Sequence, residues 1–186
     1  NNKKYWTNFS HKILRTFVIL MLIKDYFSNI RKDFLSHKFS GISFNSNTIK
    51  KGYIFFAIQG NKIDGKKFIN KAIKNGAKTI VSDIKYEGYK KNILFLYSSN
   101  PRKLLSEIVS RLYNKKPKNL IAVTGTNGKS SIVSFFFQIL KLNKKKVASI
   151  GTLGININNS SLSTINTTVD PITLNRILNK IKIKKI

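Results

Sequence analysis

Residues 119–131 read NLIAVTGTNGKSS, and this stretch decides how the second half of the chain is interpreted. The apolar run at 120–123 predicts a buried parallel strand. Residues 130–142 predict a helix that is apolar nearly all round and therefore buried on several sides. Gly125 and Gly128 occupy the turn between the two. A strand, a glycine-rich turn and a helix in this order are typical of a phosphate-binding loop.

The side chains that follow the turn suit phosphate chemistry. Lys129 is expected to reach the β- and γ-phosphates of ATP, and the Ser130 hydroxyl is expected to hold Mg²⁺. The helix N-terminus adds unpaired N–H groups and the positive end of the helix dipole. The strict loop pattern requires a glycine where this chain has Val123. The alternative is therefore a glycine-rich turn that only joins a core strand to a core helix.

The composition bounds the class of protein. The chain has 186 residues, of which 41% are hydrophobic, so it can form one large or two small packed domains. It contains no cysteine, which excludes disulfides and cysteine-based zinc sites. Its two histidines, His11 and His37, lie far apart in sequence and form no ligand cluster.

The net charge of +28 invites a nucleic-acid interpretation. However, the lysines are spread along the chain, and no aromatic-rich nucleic-acid signature accompanies them. We therefore expect non-specific adhesion to polyanions and no specific nucleic-acid partner. The apolar run at 13–23 contains Arg15 and Thr16 and is too short to span a bilayer, so we expect no membrane segment and a cytoplasmic location.

The order of patterns suggests three parts. Residues 1–20 precede the only methionine, Met21, and are interpreted as a non-native upstream extension; a genuine N-terminal helix is the alternative. Residues 21–99 alternate predicted helices and strands, beginning with a helix at 22–36, which indicates an α/β unit. The last predicted strand of this unit is 93–97, and Asp64 is a candidate cap for the helix that follows this residue. Residues 100–186 form a second unit around the glycine loop.

Two helices of the second unit have start signals. Pro101 and Pro171 are predicted to be the first residues of these helices, and Asp170 is predicted to cap the second one.

Several motifs combine into a family resemblance. VTGTNGKSS, SIGTLG and NTTVDP follow one another, and FNSNTIKKGYIFFAIQGNKIDGKKF and KNGAKTIVSD precede them. With these motifs in this order, residues 22 to about 180 resemble the Mur ligase family of peptidoglycan precursor synthesis, and within it the members that add the third amino acid. The resemblance implies a small N-terminal α/β domain that binds UDP at 21–99. It also implies the first part of a P-loop-type central ATPase domain, with a mainly parallel sheet, at 100–186.

The resemblance also implies site residues. The ATP loop corresponds to Gly125, Thr126, Asn127, Gly128, Lys129, Ser130 and Ser131. The UDP-substrate site corresponds to Phe44, Ser46, Asn61, Lys62, Ile63, Asn166, Thr167 and Thr168. Lys129 is the implied catalytic residue, and Ser130 is the implied Mg²⁺ ligand. Asn45 and Asn47 stand where the family usually has Asp and Arg.

The family reaction begins with phosphorylation of a substrate carboxylate by ATP. The amine of an incoming diamino acid then attacks the acyl phosphate and releases phosphate. For this chain the resemblance implies UDP-N-acetylmuramoyl-L-alanyl-D-glutamate as the acceptor, and meso-diaminopimelate or L-lysine as the added residue. The family's carbamylated lysine, acidic Mg²⁺ ligands and C-terminal domain do not occur within these residues. We therefore expect an inactive fragment of an enzyme that is a monomer when full length.

Two other functions stay open at this point. One is a related ligase, either another Mur ligase that adds the dipeptide or a ligase of the folylpolyglutamate type. The other is a basic module that binds a nucleotide or a nucleic acid and has no ligase activity.

Overall fold

The computed structural model describes residues 19–60, 63–158, 160–162 and 169–183. The chain divides into two compact units, and the division lies between Arg102 and Lys103. The boundary at 99–100 remains a prediction. Most of the predicted upstream extension lies outside the described residues.

The first unit opens with a short antiparallel pair, β1 (Met21–Leu22) and β2 (Lys38–Phe39). Between these strands the chain forms two 3₁₀ helices, Ile23–Asp25 and Lys32–Phe34, so the predicted α-helix over 22–36 is wrong. The segment still contributes to the core through the buried side chains of Ile23, Phe27 and Phe34. Strand pairing at both ends and burial of these side chains outweigh the helical periodicity of the sequence.

A five-stranded sheet forms the centre of the first unit. Its spatial order is β3 (Gly41–Ser43), β4 (Tyr53–Phe56), β5 (Ala77–Ser82), β7 (Ile93–Tyr97) and β6 (Gly88–Lys90). The neighbours from β3 to β7 pair in parallel, and β6 pairs antiparallel with β7 at the edge. The predicted α/β class is confirmed, and the mainly parallel sheet lies in this first unit.

The central strands are buried on both faces, as is usual for parallel strands. On one face Phe55 and Ile80 pack with Ala72 of helix α1 (Ile69–Lys74). The residues next to Phe55 and Ile80 in their strands point to the other face of the sheet. There Ile54, Phe56 and Val81 are also buried. Continuous apolar runs in the sequence, rather than strict alternation, reflect this two-sided burial.

Three helices belong to the chain after residue 100. They are α2 (Pro101–Leu112), which begins at the division, α3 (Lys129–Leu142) and α4 (Pro171–Ile183). The prolines predicted to open α2 and α4 are their first residues. Asp170 caps α4, because its Oδ1 accepts a hydrogen bond of 3.0 Å from the backbone N–H of Thr173.

The strands of the second unit form an antiparallel sheet. They are β8 (Ala148–Gly151), β9 (Gly154–Ile157) and β10 (Ser160–Leu162), with β9 in the middle. Both pairs, β8 with β9 and β9 with β10, are antiparallel. The resemblance implies a mainly parallel sheet at 100–186, whereas the parallel strand pairs among the described residues belong to the first unit.

Two expectations for the second unit are wrong. Residues 120–123 are described but form no strand, and Leu120 and Ile121 are 65% and 66% exposed. No side chain of α3 is buried, and Phe135 is 64% exposed. An apolar sequence is buried only where other elements cover it, and the described part of this unit offers no strand that pairs with 120–123.

No described helix combines the length and the apolar character that crossing a membrane requires.

Candidate functional site

The glycine loop leads directly into the first turn of α3. Gly128 is the N-cap of this helix and has a φ of 76°, in the left-handed region that favours glycine. Gly125 also has a positive φ, of 143°. A Cβ on Gly128 would meet no heavy atom within 4 Å, so the surface of the loop is open at this point. The backbone can therefore approach a ligand closely here.

The N-terminus of α3 presents N–H groups that the helix itself does not use. The N-cap residue, Gly128, has no side chain that could accept from them, and no side-chain cap is formed. Such N–H groups, together with the helix dipole, favour an anion. The glycine turn and the helix start are thus present, although the predicted strand before them is not.

Lys129 folds back over the loop. Its Nζ donates hydrogen bonds to the backbone carbonyl oxygens of Gly125 and, at 3.0 Å, of Thr126. The ammonium group therefore lies above the same turn that would surround a phosphate. A phosphate oxygen at this position would replace the carbonyl oxygens as its acceptor, with the advantage of full negative charge.

Ser130 is in contact with a second element. Its Oγ lies 2.8 Å from Oγ1 of Thr152, which is in the turn between β8 and β9. A cleft of about 230 Å³ separates α3 from this hairpin, and both hydroxyl residues line it. Lys129 also lines the cleft, and it is the only charged residue among the described residues that line it. The cleft therefore offers a positive charge and hydroxyl groups in one place.

The described residues of this cleft can offer Mg²⁺ only a small number of protein oxygen ligands. The described residues contain no cluster of three or more His, Cys, Asp or Glu side chains that could enclose a metal ion. Mg²⁺ usually keeps several waters and is held by few protein oxygens together with substrate phosphates. The hydroxyl of Ser130 at the start of α3 is a protein oxygen of this kind, so the residues present fit a metal that arrives with a nucleotide.

In the first unit, the predicted UDP-substrate residues follow β3. Phe44 is 40% exposed, whereas Ser46 is only 6% exposed and begins a 3₁₀ helix at Ser46–Thr48. Asn45 caps this short helix by accepting from the N–H of Asn47 at 2.9 Å. The side chain of Asn45, which replaces the family's usual Asp, thus has a local structural use.

The carboxyl ends of parallel strands form one edge of a sheet, and ligands commonly bind at this edge. The loop after β4 reaches Ile63, which is 55% exposed. Asp64 closes the loop: its Oδ1 accepts from the N–H of Lys66 at 2.9 Å. This backbone hydrogen bond is the main cause that lowers the pKa of Asp64.

Sequence reasoning missed the charged contacts that hold this loop. Lys66 Nζ donates to Asp83 Oδ1 at 3.0 Å, which raises the pKa of Lys66. Arg102 donates to the backbone oxygen of Gln59 at 3.0 Å. No sequence pattern joins these residues, because their contacts depend on neighbouring strand ends.

Five predicted substrate residues, Asn61, Lys62, Asn166, Thr167 and Thr168, lie outside the described residues. Thr152 was missed as a site residue as well. Its only signal was its place in the motif SIGTLG, which predicts a turn and says nothing about the partner of the threonine.

Two family descriptions match the chain. "Mur ligase family, catalytic domain" matches residues 38–113, and "Mur ligase middle domain" matches residues 123–186. Together they account for well over half of the sequence.

Curated relatives agree with these families. The chain is 45% identical over 129 residues to the UDP-N-acetylmuramoyl-L-alanyl-D-glutamate--2,6-diaminopimelate ligase of Rickettsia prowazekii strain Madrid E, covering 69% of this chain and 26% of the relative. It is 37% identical over 142 residues to the ligase of the same name from Bradyrhizobium diazoefficiens, covering 76% of this chain and 29% of the relative. The chain thus spans about a quarter of the length of these relatives.

A solved structure of a UDP-N-acetylmuramoyl-L-alanyl-D-glutamate--2,6-diaminopimelate ligase is similar in fold. It matches with a TM-score of 0.69 and 26% sequence identity, covering 88% of this chain and 34% of the other. The glycine loop at the start of α3 lies within the region matched as the middle domain. From its sequence motifs, its two family matches and its fold, this chain belongs to the Mur ligase family.

Proposed function

We propose that this chain supplies the UDP-substrate-binding and ATP-loop regions of an ATP-dependent ligase that adds the third amino acid of a peptidoglycan precursor. The observation that carries the proposal is the open glycine loop at the start of α3, in a chain 45% identical to a named 2,6-diaminopimelate ligase. The acceptor would be UDP-N-acetylmuramoyl-L-alanyl-D-glutamate. The names of the relatives favour 2,6-diaminopimelate over lysine as the added residue.

The proposed roles follow from the geometry of the loop. The backbone from Gly125 to Ser131 would surround the phosphates of ATP, and Lys129 would turn from the loop carbonyl oxygens to the transferred phosphoryl group. Its charge would then stabilise the negative charge that develops during transfer to the substrate carboxylate. Ser130 would hold Mg²⁺, which supplies further charge neutralisation when it is bound. The exposed Phe44 and Ile63 are proposed contacts for the uridine end.

The remaining parts of the proposal concern the whole protein. Because the chain spans about a quarter of its relatives, it is proposed to bind nucleotide without completing the reaction alone. The full-length protein is proposed to be a cytoplasmic monomer with no specific nucleic-acid partner.

The test is ATP binding to the 186-residue chain, measured by calorimetry at physiological salt. Lys129→Ala is expected to lower the affinity at least about tenfold, because a charge-assisted hydrogen bond to phosphate is lost. Lys118→Ala is the matched control, since it removes the same charge from an exposed position before the loop. Circular dichroism checks that both variants remain folded. Equal affinity of the two variants would refute the assignment of the loop.

Because the net charge is +28, binding of polyanions without ligase activity is the second candidate function. Binding of this kind loses affinity steeply as salt rises, because it is driven by counterion release. Displacement of ATP by an RNA oligonucleotide at physiological salt, with equal effect on both lysine variants, would favour the second candidate.

A further inference from the structure

The hydroxyl of Thr152 contacts the hydroxyl that is proposed to hold Mg²⁺. Ser130 Oγ and Thr152 Oγ1 are 2.8 Å apart, although the residues come from the first turn of α3 and from the β8–β9 turn. We propose that Thr152 is a positioning residue that orients the Ser130 hydroxyl toward Mg²⁺. The inference rests on the proposed function, because it concerns the same nucleotide loop.

The argument starts from the chemistry of a hydroxyl group. A serine hydroxyl has one proton and two lone pairs. When a lone pair coordinates a cation, the proton has to point away from the cation and toward another acceptor. Thr152 Oγ1 lies at hydrogen-bond distance and can accept this proton. Donation from Ser130 to Thr152 therefore leaves the lone pairs of Ser130 available for the metal.

Carboxylates do not offer an obvious alternative acceptor. Between residues 103 and 186 the sequence contains two acidic residues, Glu107 and Asp170. Asp170 is engaged in capping α4, where it accepts from the N–H of Thr173. Glu107 lies in the middle of α2, away in sequence from the loop. Among the described residues, the hydroxyl of Thr152 is thus the acceptor observed beside the Ser130 hydroxyl.

The hairpin holds Thr152 in place. Gly151 and Gly154 pair directly across the antiparallel strands, so only Thr152 and Leu153 form the connection. A two-residue connection fixes the register of a hairpin and the direction of its turn residues. Gly154 has a φ of 97°, a conformation that favours glycine. The position of Thr152 is therefore set by the strand pairing of β8 and β9.

Removal of a residue that hydrogen-bonds to a metal ligand typically lowers the metal affinity about tenfold or more. Thr152→Val removes the hydroxyl and keeps the shape of the side chain. Thr152→Ser restores the hydroxyl. Ser149→Ala is the matched control, because Ser149 lines the same cleft but accepts from Asn156, at 3.3 Å.

The experiment compares the affinity of the 186-residue chain for ATP in Mg²⁺ and in EDTA. The gain from Mg²⁺ is the ratio of the affinity for ATP in Mg²⁺ to that in EDTA. We expect this ratio to be about tenfold smaller in Thr152→Val than in the wild type, with unchanged affinity in EDTA. Thr152→Ser and Ser149→Ala should both retain the gain. As a second readout, Mn²⁺ with ADP is followed by electron paramagnetic resonance, and Thr152→Val should weaken the bound Mn²⁺ signal.

The outcomes separate this inference from the proposed function. If the wild-type chain binds ATP and gains affinity from Mg²⁺, but Thr152→Val shows the same gain, only the role of Thr152 is overturned. If the wild type binds ATP with no gain from Mg²⁺, the proposed role of Ser130 as a Mg²⁺ ligand is overturned together with that of Thr152. If the wild-type chain binds no ATP, both proposals are overturned. Should Thr152→Val alter the circular dichroism, Thr152→Ala replaces it and the same ratio of affinities decides.

Discussion

The imidazole Nε2 of His37 lies 2.8 Å from the hydroxyl oxygen of Thr79, which is fully buried on the central strand β5. The other ring nitrogen, Nδ1, lies 3.0 Å from the hydroxyl of Tyr89 on the edge strand β6. One histidine therefore links the segment before β2 to two strands of the sheet. Its burial lowers its pKa below the ordinary value of 6.5.

This lowered pKa predicts a pH dependence of stability. The unfolded chain takes up a proton at His37 near pH 6.5, whereas the folded chain does so only at lower pH. The unfolded state then binds more protons, so the free energy of unfolding falls as the pH falls below 6.5. Above this pH the contribution is fully present. Urea denaturation at about pH 5.5 and about pH 7.5 measures the difference.

His37→Gln is expected to reduce this pH dependence, because glutamine does not titrate. Lys38→Gln, at the exposed neighbouring position, should leave it unchanged, since this variant keeps the imidazole of His37. A pH dependence in His37→Gln as steep as in the wild type would contradict the assigned cause.

Phe56→Ala tests the core of the first unit. Phe56 is 0% exposed on β4, so the substitution leaves a cavity and is expected to cost about 3–5 kcal/mol. Phe68→Ala is the matched comparison, because Phe68 is 37% exposed and loses less burial. Urea unfolding should show a clearly smaller shift for Phe68→Ala. Similar losses for the two variants would argue against the described packing of β4.

Gly128→Ala tests the backbone of the glycine loop. The φ of 76° makes alanine unfavourable by about 1 kcal/mol, although its Cβ would meet no atom within 4 Å. Gly151→Ala is the control, since its Cβ would also meet no atom and its φ is not in the left-handed region. A loss of stability in Gly128→Ala alone identifies backbone strain as the cause. Equal stability of both variants would refute the left-handed conformation of Gly128.

Asp170→Ala tests the cap of α4. The hydrogen bond from the N–H of Thr173 to Asp170 Oδ1 is lost, and the expected cost is about 1 kcal/mol. Asp170→Asn should be nearly neutral, because asparagine is an equally good N-cap. Thermal unfolding followed by circular dichroism compares the two. Destabilisation of the same size in Asp170→Asn would show that charge, rather than the cap, is the important property.

The predictions that succeeded depend on local chemistry. Pro101 and Pro171 mark the starts of α2 and α4 because proline has no N–H to lose at the first helical position. Strand β7 was predicted with its observed limits, Ile93–Tyr97, from an apolar run between turns. Asp64 was predicted to cap the next helical segment, and its carboxylate accepts from the N–H of Lys66.

The predictions that failed depend on partners elsewhere in the chain. Residues 120–123 have the composition of a buried strand, but a strand forms only when another strand pairs with it. The phenylalanines of α3 have the composition of a core, but burial requires a covering element, and Phe135 is 64% exposed. The segment at 22–36 has the apolar spacing of an α-helix. However, Leu22 pairs with Lys38 in a short antiparallel sheet, and the residues between them form two 3₁₀ helices instead.

The sequence by itself determined the family and the α/β class, and it marked the glycine loop that is proposed to bind phosphate, because motif spacing and backbone chemistry act within a few residues. Only the tertiary structure decided that Thr152 lies beside Ser130 and that Lys66 joins Asp83. These pairs are 22 and 17 residues apart in the chain. Such contacts form when strand pairing brings separate turns together, and no local pattern in the sequence records which turns will meet.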